Sequence, residues 1–96
     1  MAYALVTGAA KGIGKSIAHE LTLRNYNLLL VDVDGRGLAL TKLELERTAG
    51  VHVAYLVGDL SLPETPEAVF KWSSAWQDEL EVLVNNAAFG LNGAFA

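Results

Sequence analysis

The sequence predicts one small α/β domain in which helices cover both faces of a parallel sheet. Its 96 residues allow at most one domain. Four short apolar runs alternate with segments long enough for helices, which gives the order β-α-β-α-β-α-β. The second run contains Leu28-Leu29-Leu30-Val31, and such an unbroken run is typical of a parallel strand buried on both faces. The alternation favours right-handed crossovers within one sheet.

The apolar runs place the strands, and polar or glycine-rich segments follow them. We expect strands over residues 3–7, 27–33, 51–58 and 81–85. The segments that follow them are residues 7–14, 32–37, 58–61 and 85–90. Because ligands of parallel sheets bind beyond the carboxyl ends of the strands, we expect these four loops to form one site.

Two helices are predicted between the first three strands. Ile13, Ile17 and Leu21, together with Ala18, fall on one stripe at i, i+4 and i+8, which predicts a helix that buries this stripe. The segment 35–48 has a helical composition, although its leucines form a poor stripe.

A third helix is predicted before the last strand. Thr65 followed by Pro66 predicts an N-cap with proline at the first helical position. The residues expected to share one face of this segment are Val69, Ser73, Trp76 and Leu80.

Composition excludes several classes of function. The chain has 7 Lys and Arg against 11 Asp and Glu, a net charge of −4, so we expect no nucleic-acid or anionic-membrane partner. It has no cysteine, and His19 and His52 lie far apart in the sequence, so we expect no metal site. No basic segment precedes the first apolar run, and no run approaches the roughly 20 residues that span a bilayer. We therefore expect a cytoplasmic protein.

A glycine-rich loop joins the first strand to the first helix. It reads Thr7-Gly8-Ala9-Ala10-Lys11-Gly12-Ile13-Gly14. The unpaired amides and the positive dipole end of a helix N-terminus suit a phosphate, and glycines let a pyrophosphate approach the backbone. The preceding strand, the following helix and an acid 18 residues beyond Gly14 favour a dinucleotide loop over a turn without a ligand.

The end of the second strand bears on the choice of cofactor. Asp32 is placed to bond the hydroxyls of the adenosine ribose and to repel a 2′-phosphate, which favours NAD. Lys11 favours NADP, because a cation before the second glycine can pair with a 2′-phosphate. Val33 is not the arginine that NADP sites often have near this position. We expect NAD, with NADP as the alternative. The other interpretation of Asp32 is a solvated aspartate at a strand end that contacts no cofactor.

A second interpretation of the same loop is a phosphate-binding loop of a nucleotide triphosphatase. Residues 9–16 end in Gly-Lys-Ser, and only the first glycine of Gly-x4-Gly-Lys-Ser is replaced, by Ala9. This motif leaves Gly8 and Gly12 unexplained, and the later loops suit a dinucleotide better.

Three segments together resemble the short-chain dehydrogenase/reductase family. They are Thr7-Gly8-x-x-x-Gly12-x-Gly14, Asp59-Leu60-Ser61 and Leu83-Val84-Asn85-Asn86-Ala87-Ala88. The match runs over nearly the whole chain, although Ala88 stands where the family motif has glycine. The resemblance implies a Rossmann-like sheet and an NAD(P)-dependent oxidoreductase acting on a small carbonyl or alcohol. It identifies residues 1–96 as part of a dinucleotide-binding domain.

The resemblance also implies roles for single residues. The pyrophosphate and the adjacent ribose would be held by Gly8, Gly12, Ile13 and Gly14. Asp32 would bind the adenosine ribose. The Asp59 carboxylate would accept from the adenine amino group, with Leu60 offering its backbone. Asn86 and Ala87 would line the cofactor on the ribose side, and Asn85 would tie neighbouring strands.

The catalytic residues of the family are not found in this sequence. Family members use a serine and a Tyr-x-x-x-Lys, in which the lysine lowers the pKa of the tyrosine acid. Here the residues four positions after Tyr3, Tyr26 and Tyr55 are Thr7, Leu30 and Asp59. We expect no hydride transfer by this chain alone. The alternative is a non-catalytic dinucleotide-binding or assembly module.

The resemblance predicts the strand order 3-2-1-4, with the fourth strand at an edge. An apolar edge such as Val82-Leu83-Val84 invites pairing with another chain. We therefore expect self-association through this edge or by exchange of elements between copies.

Overall fold

The computed structural model describes residues 2–86, which form a four-stranded parallel sheet flanked by helices. The strands are β1 (Tyr3–Thr7), β2 (Asn27–Asp32), β3 (Val53–Val57) and β4 (Leu80–Val84). The helices are α1 (Gly12–Leu23), α2 (Gly35–Ala49) and α3 (Thr65–Ser73), and a 3₁₀ turn, Ser74–Trp76, follows α3. The sheet order β3-β2-β1-β4 confirms the predicted order.

The two central strands are buried on both faces, as their unbroken apolar sequences predict. Side chains alternate across a strand, so each strand contributes to two cores. On the face covered by α1 and α2, the central side chains are Ala4, Val6, Leu28 and Leu30. On the face covered by α3, they are Tyr3, Leu5, Leu29 and Val31, and Trp72 and Trp76 pack against them.

Helix α1 buries only part of the predicted stripe. Ile13 is 71% exposed, and Ile17 and Leu21 are only partly buried. The buried residues of α1 are the predicted Ala18 together with Gly14 and Thr22. Gly14 must lack a side chain because α1 lies close to the loop before it: a Cβ there would stand 1.9 Å from the carbonyl oxygen of Gly8.

Helix α2 forms despite its irregular leucine pattern. Leu38 and Leu45 are fully buried and lie seven residues apart, whereas Leu40 and Leu43 face outward at 60% and 57% exposure. The helix therefore buries a narrow stripe, and its remaining leucines do not belong to it. Gly50 ends the helix in the left-handed conformation, with φ of 68°.

Helix α3 begins and ends differently from the prediction. Its N-cap is Glu64 rather than Thr65, which is the first helical residue and is buried. Pro66 is therefore the second helical residue, where its missing N–H leaves no hydrogen bond unmade. The shared face continues through the 3₁₀ turn, but Leu80 belongs to β4.

Strand β4 is an edge of the described sheet. It pairs with β1 alone among the described strands. Leu83 lies beside Leu5 on the face that α3 covers and is 68% exposed, whereas Val82 and Val84 pack against the core beside α1 and α2. No helix within residues 2–86 has the length and hydrophobicity needed to cross a bilayer.

Candidate dinucleotide-binding site

The carboxyl ends of the strands meet at one cleft. Its volume is about 290 Å³, close to the lower limit of the roughly 300–1,000 Å³ typical of small-molecule sites. It is lined by Gly8, Lys11, Asp32, Val33, Gly58, Asp59, Leu60, Ser61 and Asn86. Most of the predicted site residues therefore lie together.

The remaining predicted residues lie beside this cleft or outside the described chain. Gly12, Ile13 and Gly14 form the first turn of α1, directly after the cleft residue Lys11. Ala87 lies outside the described residues.

Glycine is required at two turns of the loop between β1 and α1. Gly8 and Gly12 adopt φ of 66° and 63°, a left-handed conformation that disfavours residues with a Cβ. A Cβ on Gly12 would meet nothing within 4 Å, so space above the start of α1 is open. At Gly12 the loop therefore presents its backbone with no side chain in the way.

The first turn of α1 carries amides without protein partners. Lys15 N–H makes the first helical bond, to the Lys11 carbonyl oxygen, at 3.4 Å. Within residues 2–86, the backbone N–H groups of Gly12, Ile13 and Gly14 donate to no protein acceptor. Lys11 occupies the N-cap position without a side-chain cap. Three free donors at the positive end of a helix dipole form an arrangement that suits an anion.

Asp32 ends β2 at the floor of the cleft. Its Oδ2 accepts from the backbone N–H of Ala10 at 2.9 Å, and its Oδ1 accepts from that of Asp34 at 3.0 Å. Asp34, rather than Asp32, caps α2, because its Oδ1 accepts from Gly37 N–H at 2.9 Å. Asp32 is therefore a partly buried carboxylate fixed in orientation at the cleft.

Asp59 is fixed by its neighbour Ser61. Its Oδ1 accepts from the Ser61 hydroxyl at 2.6 Å and from the Ser61 N–H at 2.9 Å. These two hydrogen bonds hold the pKa of Asp59 below its usual value of 3.8, so the group is ionised at neutral pH. Its Oδ2 remains as an acceptor for a ligand.

The end of β4 is tied to the end of β1 through Thr7. The Thr7 hydroxyl accepts from Asn86 N–H at 2.8 Å and lies 3.1 Å from Asn85 Oδ1, to which it donates. The side-chain Nδ2 of Asn86 donates to the Gly8 carbonyl oxygen at 3.5 Å. These bonds place Asn86 over the glycine-rich loop.

Lys15 points away from the cleft. Its ammonium lies 3.3 Å from Oε1 of Glu44 on α2, and His19 Nε2 lies 3.4 Å from the same oxygen. Lys15 is the largest cause that lowers the pKa of Glu44. The lysine of a phosphate-binding loop instead reaches the phosphates, so its position here argues against the triphosphatase interpretation.

Two contributions to the site were not predicted from the sequence. One is the role of Ser61 in orienting Asp59: the segment Asp59-Leu60-Ser61 was recognised, and its Asp-x-Ser spacing is a signal for a local side-chain turn. The other is the Ala10 amide, for which the sequence carries no signal because its position depends on the backbone of the loop.

The fold and the cleft together define a Rossmann-like α/β unit. The model of the short chain dehydrogenase family matches residues 2–96, and the chain belongs to that family. This result replaces the triphosphatase interpretation.

Relatives and solved structures agree with this assignment. The chain is 35% identical over 88 residues to Short chain dehydrogenase helC of Aspergillus fumigatus, covering 90% of this chain and 34% of the relative. It is 34% identical to a diacetyl reductase of Staphylococcus epidermidis, covering 88% and 32%. The L-sorbose reductase of Gluconobacter frateurii, solved with NADPH and L-sorbose, has a TM-score of 0.85 at 30% identity, covering 95% and 35%. The chain thus spans about a third of the length of these relatives.

Proposed function

We propose that this chain is the dinucleotide-binding N-terminal part of an NAD(P)-dependent oxidoreductase. The observation that carries the proposal is one cleft that combines the glycine-rich loop with the fixed carboxylates of Asp32 and Asp59. The three free amides at the start of α1 lie directly beside it. A pyrophosphate needs the amides, and an adenosine needs acceptors for its ribose hydroxyls and its amino group.

The residues present suit the parts of a dinucleotide. The pyrophosphate would accept from the amides of Gly12, Ile13 and Gly14, and a Cβ on Gly12 would meet no atom within 4 Å. Asp32 would accept from the adenosine ribose. The free Oδ2 of Asp59 would accept from the adenine amino group, with the Leu60 backbone beside it. The described cleft is large enough for about the adenosine half of the cofactor.

The other half of the dinucleotide would lie toward the end of β4. Asn86 lies over the loop next to Gly8 and would line the ribose nearer the nicotinamide. We keep Ala87 in the same role as a prediction. When bound, the nicotinamide ring carries the hydride, and the residues of this chain bind and orient it.

The proposal predicts binding of nicotinamide dinucleotides in preference to a nucleoside triphosphate. Calorimetric titration with NAD⁺, NADP⁺ and ATP with Mg²⁺ tests it. We expect saturable binding of a dinucleotide and weaker binding of ATP. Tighter binding of ATP with Mg²⁺ would contradict the proposal.

We propose NAD as the preferred cofactor. Asp32 is held toward the cleft by two backbone amides, so its negative charge opposes a 2′-phosphate at that position. Lys11 lines the same cleft and acts in the opposite direction. The sorbose reductase and a Sphingobium yanoikuyae dehydrogenase, both similar to this chain, were solved with NADPH. We therefore keep NADP as the alternative.

A pair of variants separates the two charges. Removing the carboxylate with Asp32→Ser should raise the affinity for NADP⁺ relative to NAD⁺ by about tenfold, equivalent to about 1.4 kcal/mol. Removing the cation with Lys11→Gln should change that ratio in the other direction. An unchanged ratio in Asp32→Ser would exclude Asp32 as the residue that selects the cofactor.

The 96 residues contain no Tyr-x-x-x-Lys, and general acid–base catalysis in this family depends on that pair. We propose that this chain binds the cofactor without turning over a carbonyl or alcohol substrate. Oxidation of NADH measured with diacetyl, a substrate class named for one relative, provides the test. Turnover by the purified chain would refute the proposal.

The same absence favours a second candidate, a non-catalytic dinucleotide-binding or assembly module. The two candidates differ in the reading frame after Ala96. A continuation that encodes Tyr-x-x-x-Lys supports the oxidoreductase, and a stop codon supports the module.

We also propose that the chain self-associates through the β4 edge. Leu83 is 68% exposed on a strand whose outer hydrogen-bonding groups have no neighbour within the described sheet. Leu83→Lys should shift the chain toward the monomer in size-exclusion chromatography with light scattering. Leu40→Lys on α2, where the leucine is 60% exposed, is the matched control and should change nothing. A wild-type chain that stays monomeric at high concentration would contradict the proposal.

A further inference from the structure

The Asp32 carboxylate lines the cleft and also accepts a hydrogen bond from the glycine-rich loop. One oxygen accepts from Ala10 N–H, in the middle of the glycine-rich loop, and the other from Asp34 N–H, at the start of α2. Ala10 is only 6% exposed. A single carboxylate thus connects two segments that border the cleft.

Ala10 is the last fixed point of the loop before the free amides. Gly8 N–H and Ala9 N–H donate to the Val31 carbonyl oxygen at 2.8 and 3.3 Å, which fixes the start of the loop to β2. Ala10 N–H then donates to Asp32, two residues before Gly12 at the start of α1.

Ala10 is also confined by α2. A Cβ added to Gly37 would stand 2.9 Å from the Ala10 Cβ, so α2 starts directly against the loop. A hydrogen bond to a carboxylate is stronger than one to a neutral acceptor. Asp32 therefore determines the position of Ala10 more firmly than a neutral side chain would.

We propose that Asp32 is a positioning residue for the glycine-rich loop. It holds Ala10 so that the amides of Gly12, Ile13 and Gly14 are in place before a ligand binds. Such preorganisation removes part of the entropy cost of ordering the loop on binding. This role is separate from any contact between Asp32 and a ribose. Only the ligand-binding experiment described below rests on the function proposed above.

The first experiment uses the chain without any ligand. A scalar coupling across the hydrogen bond, between Ala10 ¹⁵N and the Asp32 side-chain ¹³C, should be detectable in the wild-type protein by NMR. This measurement needs no variant to fold. Absence of the coupling, with the Ala10 amide exchanging as fast as that of Ile13, would overturn the proposal.

The second experiment removes the charge. In Asp32→Asn, the Ala10 amide should exchange with solvent about tenfold faster or more, because its bond to a charged acceptor is lost. The Gly8 amide, bonded to Val31, should change by less than about threefold. Asp34→Asn is the matched control, since asparagine keeps the α2 cap and the same charge is lost. Equal exchange of Ala10 in both variants would overturn the proposal.

The ligand arm separates loop positioning from ribose contact. ADP and 2′,3′-dideoxy-ADP share the adenine and the pyrophosphate, and the dideoxy compound lacks only the ribose hydroxyls. If Asp32 positions the loop, Asp32→Asn should weaken binding of the dideoxy compound by about threefold or more, and Asp34→Asn should not. Binding of the dideoxy compound unchanged by Asp32→Asn, with ADP binding weakened, would reduce Asp32 to a ribose ligand and overturn the proposal.

The proposed function and this inference fail in different ways. A wild-type chain with the Ala10–Asp32 coupling that binds neither ADP nor a dinucleotide would overturn the proposed function and support the positioning of the loop. A chain that binds them without the coupling would overturn the inference alone.

Discussion

Replacing Gly14 by alanine tests how closely α1 must approach the glycine-rich loop. The added Cβ would stand 1.9 Å from the Gly8 carbonyl oxygen and 2.7 Å from the Asn86 side-chain nitrogen. Real Cβ contacts are essentially never below 3.0 Å, so helix and loop must separate by about 1.1 Å, the difference between 3.0 and 1.9 Å. The Gly8 oxygen belongs to the backbone and cannot move aside as a flexible side chain can.

Two effects of this substitution oppose each other. Alanine is favoured over glycine within a helix by about 1 kcal/mol. Overpacking of a close contact costs about 1–3 kcal/mol, and more where backbone must move. Because the clash is with backbone, we expect Gly14→Ala to lower the free energy of unfolding by about 2 kcal/mol. The melting temperature should fall by about 10 °C, since each kcal/mol is worth roughly 4–8 °C in a domain of this size.

The melting temperature is measured by circular dichroism, with two alanine controls. Gly35→Ala adds a Cβ 3.1 Å from the half-exposed Val57 side chain, which can move, so we expect a change within about 0.5 kcal/mol. Gly12→Ala meets no atom within 4 Å but must adopt φ of 63°, which costs about 1–2 kcal/mol. A Gly14→Ala chain as stable as wild type would refute the close approach of α1.

Two further predictions concern stability. Leu28 is fully buried in the central strand β2, so Leu28→Ala should lower the free energy of unfolding in urea by about 2–5 kcal/mol; a loss below about 1 kcal/mol would contradict its place in the core. Lys42 and the Val53 N–H hold the pKa of Glu46 below its ordinary 4.5. The ionised carboxylate therefore contributes fully to folding stability above about pH 4.5, and this contribution is lost as the pH falls through the lowered pKa. Glu46→Gln should therefore cost up to about 1 kcal/mol at pH 7 and less at pH 3, measured by urea unfolding; an equal loss at both would contradict the ion pair.

The order of elements could be predicted because it depends on strong patterns. Leu28-Leu29-Leu30-Val31 is too apolar for anything but a buried strand, and the structure places it at the centre of the sheet. Element ends were less accurate. The third strand was expected from residue 51, but it begins at Val53; the His52 N–H donates to the side chain of Asn27, although its carbonyl oxygen accepts from Leu28 N–H.

The buried face of α1 could not be predicted from hydrophobicity. Ile13 is large and apolar, so a periodicity argument places it inward, yet it is 71% exposed. The inward position belongs to Gly14 because a close helix–loop contact requires the absence of a side chain, not its hydrophobicity. Such a requirement becomes visible only when the backbone of the loop is known.

In the site too, the types and places of the residues could be predicted, whereas the backbone contacts that orient them could not. The positions of Asp32 and Asp59 at strand ends followed from the alternation of strands and helices. The partners that orient them, Ala10 N–H and Ser61, depend on local turns. Gly8 and Gly12 adopt left-handed conformations in the same loop, and the sequence indicates only that glycines allow them.

The central claim, that the start of α1 receives the pyrophosphate of a nicotinamide dinucleotide, is tested most directly by site-resolved titration. The ¹⁵N-labelled chain is titrated with NAD⁺ while the amide resonances of residues 8–16 are followed by NMR. The account predicts saturable shifts that are largest at Gly12, Ile13 and Gly14 and small at Lys15, whose amide is already bonded within the helix. NAD⁺ binding that leaves those three amides unperturbed, or no binding at all, would contradict it.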